Sequence, residues 1–132
     1  MGDVIAASLR AFFEADAHGA AAVYLFGSVA RGTEGNRSDI DVGVLFDAPP
    51  APTLLGQPFA IADDLERRLG RPVDVVSLNT APVDLRIRVL REGRLVFERD
   101  ATARVRFEVA TRNEAFDLEP VLRAYRAPRR PS

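Results

Sequence analysis

Apolar positions along this chain alternate between a helical and a strand period. Between residues 3 and 18 they share one helical face, with Ile5, Leu9, Phe12 and Phe13 at i, i+4, i+7 and i+8, Asp3 near the start and Gly19 past the end. "AAVYLF" (21–26) reads as a short strand ending in a Gly-Ser turn, and "DIDVGVLF" (39–46) as a second strand rich in β-branched residues. The connector "DAPPAPT" (47–53) is a loop with stiff extended character. Residues 58–69 form a second amphipathic pattern, with Ile61, Leu65 and Leu69 on one face, and Gly70 stops it. Pro72 opens a third strand, "VDVVSL" (73–78). Residues 82–92 read as a helix with Pro82 in its first turn and Gly93 at its end. "RLVFE" (94–98) is a short fourth strand, and residues 100–126 are helical. A bend is expected near Asp117–Pro120, because an interior proline removes a backbone donor. The tail "APRRPS" (127–132) reads as disordered. No repeat, low-complexity block or internal boundary appears. The expected fold is therefore one domain over residues 1–126, including the helical segment 100–126, of α/β or α+β class with a small mixed β-sheet packed by helices.

Composition narrows the function classes. With 132 residues, 47% hydrophobic and 28% charged, the chain is ordinary for one globular domain. It has no cysteine, which excludes disulfides and thiolate metal sites, and a single histidine, His18, which excludes a His-rich zinc centre. His18 itself reads as an exposed helix-end residue, and Tyr24 and Tyr125 as core or interface tyrosines. No apolar run approaches the ~18 residues of a membrane helix. The N-terminus lacks the basic segment of a signal peptide, so no membrane association is expected and the cytoplasm is the default location. A net charge of −1 provides no global field for nucleic acid, so direct nucleic-acid binding is not expected. All 18 basic residues are arginine, which fits GC-rich coding and the many alanines.

Local chemistry concentrates in residues 24–46. In a strand, positions i and i+2 share a face, so Asp39 and Asp41 point the same way while Ile40 and Val42 point to a core. Two carboxylates side by side repel and are costly to bury without a cation between them. Arginine or a divalent ion would serve, and oxygen-only ligands favour a hard ion such as Mg²⁺. Gly27 allows close backbone approach, and Ser28 with the amides after it offers donors to a phosphate if "SVAR" opens a helical turn. The loop lacks the Gly-Lys-[Ser/Thr] ending of a P-loop. Asp74 stands early in the third strand, where a plain core strand would carry valine or isoleucine. If that strand lies beside 39–46, Asp74 joins the other two acids and completes a carboxylate set able to hold two metal ions for phosphoryl or nucleotidyl transfer. Taken singly, each feature has an ordinary reading: a plain turn, a solvated strand edge, and an Asp74 paired with Arg71 or Arg86.

Gly27-Ser28, ten intervening residues (29–38) and Asp39-x-Asp41, with Asp74 on a later strand, resemble the signature of the DNA polymerase beta-type nucleotidyltransferase superfamily. The short length resembles its minimal branch, the MNT domains related to kanamycin nucleotidyltransferase. Residues 85–126 resemble the C-terminal half of MntA-type antitoxins, which accompany HEPN ribonuclease toxins. The resemblance implies the polymerase beta-like fold, with Gly27 and Ser28 holding the triphosphate, Asp39 and Asp41 binding two Mg²⁺ ions, and Asp74 completing the nucleophile side. It places Arg31 near phosphate. It further implies transfer of AMP from ATP to a tyrosine of a HEPN toxin partner, which silences the toxin. The alternatives are a non-catalytic antitoxin of the same fold, inhibiting by binding, and a small-molecule, aminoglycoside-type nucleotidyltransferase. Val105, Val109, Phe116, Leu118, Val121, Leu122 and Tyr125 are expected mostly to pack on the core; any left exposed would suit a partner helix or a homodimer.

Overall fold

A computed structural model of the chain describes residues 2–31, 39–48 and 57–126. Ile5, Leu9, Phe12 and Phe13 lie on the buried face of helix α1 (Gly2–Ala15), as their spacing requires. After it come β1 (Ala20–Phe26), α2 (Gly27–Arg31), β2 (Ile40–Phe46), α3 (Gln57–Leu69), β3 (Val73–Ser77), α4 (Val83–Glu92), β4 (Arg94–Glu98) and α5 (Ala101–Arg126). The sheet order is β3-β2-β1-β4. β1 pairs antiparallel with β2 and β4, while β2 and β3 run parallel, so the sheet is mixed as expected.

Strand alternation divides the core into two layers. Val23 and Leu25 of β1 and Ile40, Val42 and Val44 of β2 pack with Leu9, Phe13, Ile61 and Leu65 of α1 and α3. Tyr24 and Phe26 of β1 and Leu45 of β2 pack on the other side with Leu85 and Val89 of α4 and Phe107 of α5. Each fully buried large apolar side chain contributes about 1.5–3 kcal/mol, so this double layer carries most of the stability. The acids of β2 and β3 alternate with α1/α3-facing residues and therefore belong to the α4/α5 face.

α5 is attached differently from the expectation. Its inner stripe is Ala103, Phe107 and Thr111. Val105, Val109 and Phe116 are 48%, 49% and 75% exposed, so the core packing expected of them does not occur. Hydrogen bonds take much of the anchoring role. The Tyr24 hydroxyl donates to Glu108 Oε2 at 2.7 Å, and Arg104 donates to Glu98 of β4 and, within α5, to the same Glu108 oxygen at 2.8 Å. From α4, Arg86 donates to the Ala81 carbonyl at 3.0 Å, to the Thr111 hydroxyl at 3.3 Å and to Glu114 at 2.6 Å. The side chains of Val121, Leu122 and Tyr125, the tail 127–132 and residues 49–53 of the connector lie outside the described residues. His18 is half-buried rather than exposed: its backbone φ is 53° and its ring stacks on Phe12 at 4.9 Å. No helix among the described residues is long and apolar enough to cross a membrane.

Candidate active site at one end of the sheet

The sheet brings the C-terminal end of β1 and the N-terminal ends of β2 and β3 to a single edge. Phe26 lies opposite Asp41, and Asp41 is in register with Asp74. The two acids, far apart in sequence, thus stand on neighbouring strands and on one face. Asp39 is exposed and precedes β2 by one residue. Asp74 is exposed and Asp41 half-buried.

Gly27 closes the site from below. It leaves β1 with φ +76° and begins α2, so the helical turn anticipated at "SVAR" does form. A β-carbon at Gly27 would collide with Asp41 Oδ2 and stand 3.1 Å from its Cγ. The chain therefore needs glycine here twice over, for the left-handed backbone and for the approach to the carboxylate. The backbone of Ser28 and Arg31 lies in α2, whereas their side chains lie outside the described residues.

This packing perturbs Asp41. Burial pushes its carboxyl above the usual range, the charges of Asp74 and Asp39 push it further, and the Arg88 guanidinium acts in the opposite direction. Arg88 lies on α4 with its guanidinium 5.7 Å from the centre of the Phe26 ring. It is the residue that sequence reasoning missed. Arg86, one of the two arginines considered as a partner for Asp74, is instead committed to Ala81, Thr111 and Glu114.

Among the described residues no three acid or histidine side chains form a ready-made metal-binding group. The acids do, however, suit a hard cation. Their donors are all carboxylate oxygens, Asp41 and Asp74 share a register position, and their repulsion is felt in the raised pKa of Asp41.

The family described as "Polymerase beta, Nucleotidyltransferase" matches residues 9–102, a span that includes every residue of this site. A chain of a toxin–antitoxin crystal structure with AMP-PNP shares the fold at TM-score 0.70 and 24% identity, over 90% of this chain and 96% of that one. A chain from the complex of tri-AMPylated Shewanella oneidensis HEPN toxin with MNT antitoxin gives TM-score 0.65 and 20% identity, over 96% and 100%. A protein whose name assigns it to the minimal nucleotidyltransferases is 41% identical over 66% of this chain and 91% of its own, at TM-score 0.53. Comparison with curated proteins gave no match.

Proposed function

This chain belongs to the polymerase beta nucleotidyltransferase family, and we propose that it is a Mg²⁺-dependent antitoxin that transfers AMP from ATP to a tyrosine of a HEPN ribonuclease toxin. The observation that carries the chemistry is the placement of Asp41 beside Asp74 at the sheet end where Gly27 packs onto Asp41. The partner and acceptor are supported by the likeness to chains from toxin–antitoxin structures, one with AMP-PNP and one with a tri-AMPylated toxin.

Asp39, Asp41 and Asp74 would hold Mg²⁺, which when bound supplies charge to phosphate oxygens and acidifies an acceptor hydroxyl. Gly27 and the amides that open α2 would receive phosphate oxygen, with Ser28 and Arg31 adding donors beside them. Asp74, exposed on β3, would take the proton of the acceptor hydroxyl as the tyrosine oxygen attacks the α-phosphate, the bond to the β-phosphate breaks and pyrophosphate leaves. The Gly27 backbone packs closely against the Asp41 carboxylate, beside the cross-strand residue Phe26. With a net charge of −1, the chain has no field to hold RNA, so the acceptor protein is expected to bring its own docking surface.

A second reading, inhibition by binding alone, draws on the exposed stripe Val105, Val109 and Phe116 of α5, which would suit a helix of the toxin or of a second copy. Intact-mass measurement of the partner toxin after incubation with this chain, ATP and Mg²⁺ separates the two. Added AMP units that disappear with Asp41→Asn support transfer. A blocked ribonuclease with unchanged mass refutes it in favour of binding.

A further inference from the structure

Beside the carboxylate end of the sheet stands a cation that no sequence motif marks. Arg88 is the basic residue whose charge acts on Asp41, yet among the described residues it forms no salt bridge with Asp39, Asp41 or Asp74. Its hydrogen bond within that set runs from Nε to Glu92 Oε2 at 3.3 Å. The guanidinium rests on the face of Phe26, the cross-strand partner of Asp41, and the side chain is 50% exposed.

This arrangement does not suit a counter-ion built for the acids. Such a group would bond the carboxylates directly, since charge-assisted hydrogen bonds are stronger than a field screened by water. Instead Nε is tied back along α4 and the guanidinium carbon lies over the Phe26 ring. Both Nη groups are left without an acceptor among the described residues. An arginine held by its inner edge, with its outer edge open, matches the planar fork that grips phosphate. The need for it follows from charge. Metal ions would answer the acids, but a nucleotide polyphosphate brings further negative charge to the same end of the sheet.

We infer that Arg88 binds phosphate oxygens of the nucleotide's polyphosphate chain, so that α4 contributes a substrate-binding residue to the site. The inference rests on the nucleotidyltransferase reading above and deepens it. It makes Phe26 the platform that aims the guanidinium, and the Arg88–Glu92 pair a tether rather than a stabilising salt bridge, which at this exposure is weak.

Calorimetric titration of the full chain at saturating Mg²⁺, with pyrophosphate and separately with AMP-PNP, tests it. Arg88→Ala should weaken both ligands by about 10- to 100-fold. Arg88→Lys should lose less, because it keeps the charge but not the fork. Arg67→Ala, a surface change on α3, should leave both affinities as they are. Arg88→Met keeps the apolar stem against Phe26 and should behave as the alanine variant does; it replaces that variant if alanine disturbs folding. Unchanged pyrophosphate affinity in the folded Ala or Met variant overturns the inference, whether or not Mg²⁺ alone binds more tightly. Wild-type protein that binds neither ligand overturns the inference together with the nucleotidyltransferase reading. Wild-type binding and AMP transfer with no Arg88 dependence overturn the inference alone.

Discussion

Replacing Gly27 with alanine probes the tightest contact in the site. The residue has φ +76°, and holding an L-residue there costs about 1–2 kcal/mol. The new methyl group would also run into Asp41 Oδ2 and press on Cγ at 3.1 Å, so the whole carboxylate must turn away. An off-rotamer side chain adds about 0.5–1.5 kcal/mol, while the stiffer unfolded chain returns about 0.4–1 kcal/mol. The net loss is roughly 0.5–3 kcal/mol, a fall in melting temperature on the order of 2–11 °C for a domain of this size. Gly70→Ala supplies the comparison. Gly70 has φ +66° with nothing within 4 Å of its would-be β-carbon, so only the backbone cost applies. Thermal melts should show Gly27→Ala as the more destabilised variant. AMP transfer should fall about 100-fold or more in Gly27→Ala, since a carboxylate displaced by ~1 Å is out of place for the chemistry, and should persist in Gly70→Ala. In an Asp41→Ala background the excess destabilisation of Gly27→Ala over Gly70→Ala should vanish. Equal melting shifts for the two single variants, with transfer intact in both, would refute the packing of Asp41 on the turn.

Asp41→Asn should raise the melting temperature in EDTA. It removes a charge that burial and the neighbouring acids disfavour, and it should also abolish the stabilisation that Mg²⁺ with nucleotide is expected to give the wild type; a lower melting temperature in EDTA would contradict this electrostatic account. Tyr24→Phe should cost about 1–2 kcal/mol, read by thermal or urea unfolding, because it removes the hydroxyl bonded to Glu108 while leaving the ring in the core. The pH dependence follows from the same carboxylate. Burial opposes the charge on Glu108, but Tyr24, Arg104 and Arg112 more than offset it and hold its pKa below the usual range. Its contribution is therefore fully present above the ordinary glutamate range and is lost as the pH falls through the lowered value. Tyr24→Phe should flatten that acid limb of the stability profile, and an unchanged limb would argue against the bond.

How much of this was legible in the sequence depends on what set each residue's identity. Asp41 was readable as facing away from Ile40 and Val42 because strand side chains alternate, whereas Asp39, expected as its same-face neighbour in the strand, precedes β2 by one residue. Gly27 was readable because few residues tolerate its backbone. That Asp74 stands in register with Asp41 was conditional on strand order, since parallel pairing of β2 with β3 is a long-range result that no local pattern encodes. Arg88 was illegible for the same reason. Three arginines lie on α4, and only the helix's placement against β1 sets position 88, rather than 86 or 91, over Phe26.

α5 failed in a more instructive way. Counting apolar residues pointed to Val105, Val109 and Phe116 as core, but the stripe that meets the sheet is Ala103, Phe107 and Thr111, flanked by Glu108 bonded to Tyr24. A helix normally buries its most apolar face. This one instead turns a partly polar face inward, and Tyr24, Arg86 and Arg104 satisfy its polar groups there. The Tyr24–Glu108, Arg86–Thr111, Arg86–Glu114 and Arg104–Glu98 bonds all join α5 to other elements and form only in this rotation. The alternative rotation would bury Val105, Val109 and Phe116 but lift Ala103 and Phe107 off the sheet and leave the hydroxyl of Tyr24, a residue with only 4% of its surface exposed, without its acceptor. A buried polar group left unpaired costs about 1–3 kcal/mol, comparable to the burial of one apolar side chain. Rotation would also break the bonds of Arg86 to Thr111 and Glu114 and of Arg104 to Glu98, so the small net apolar gain is outweighed and the helix is left with an apolar outer face.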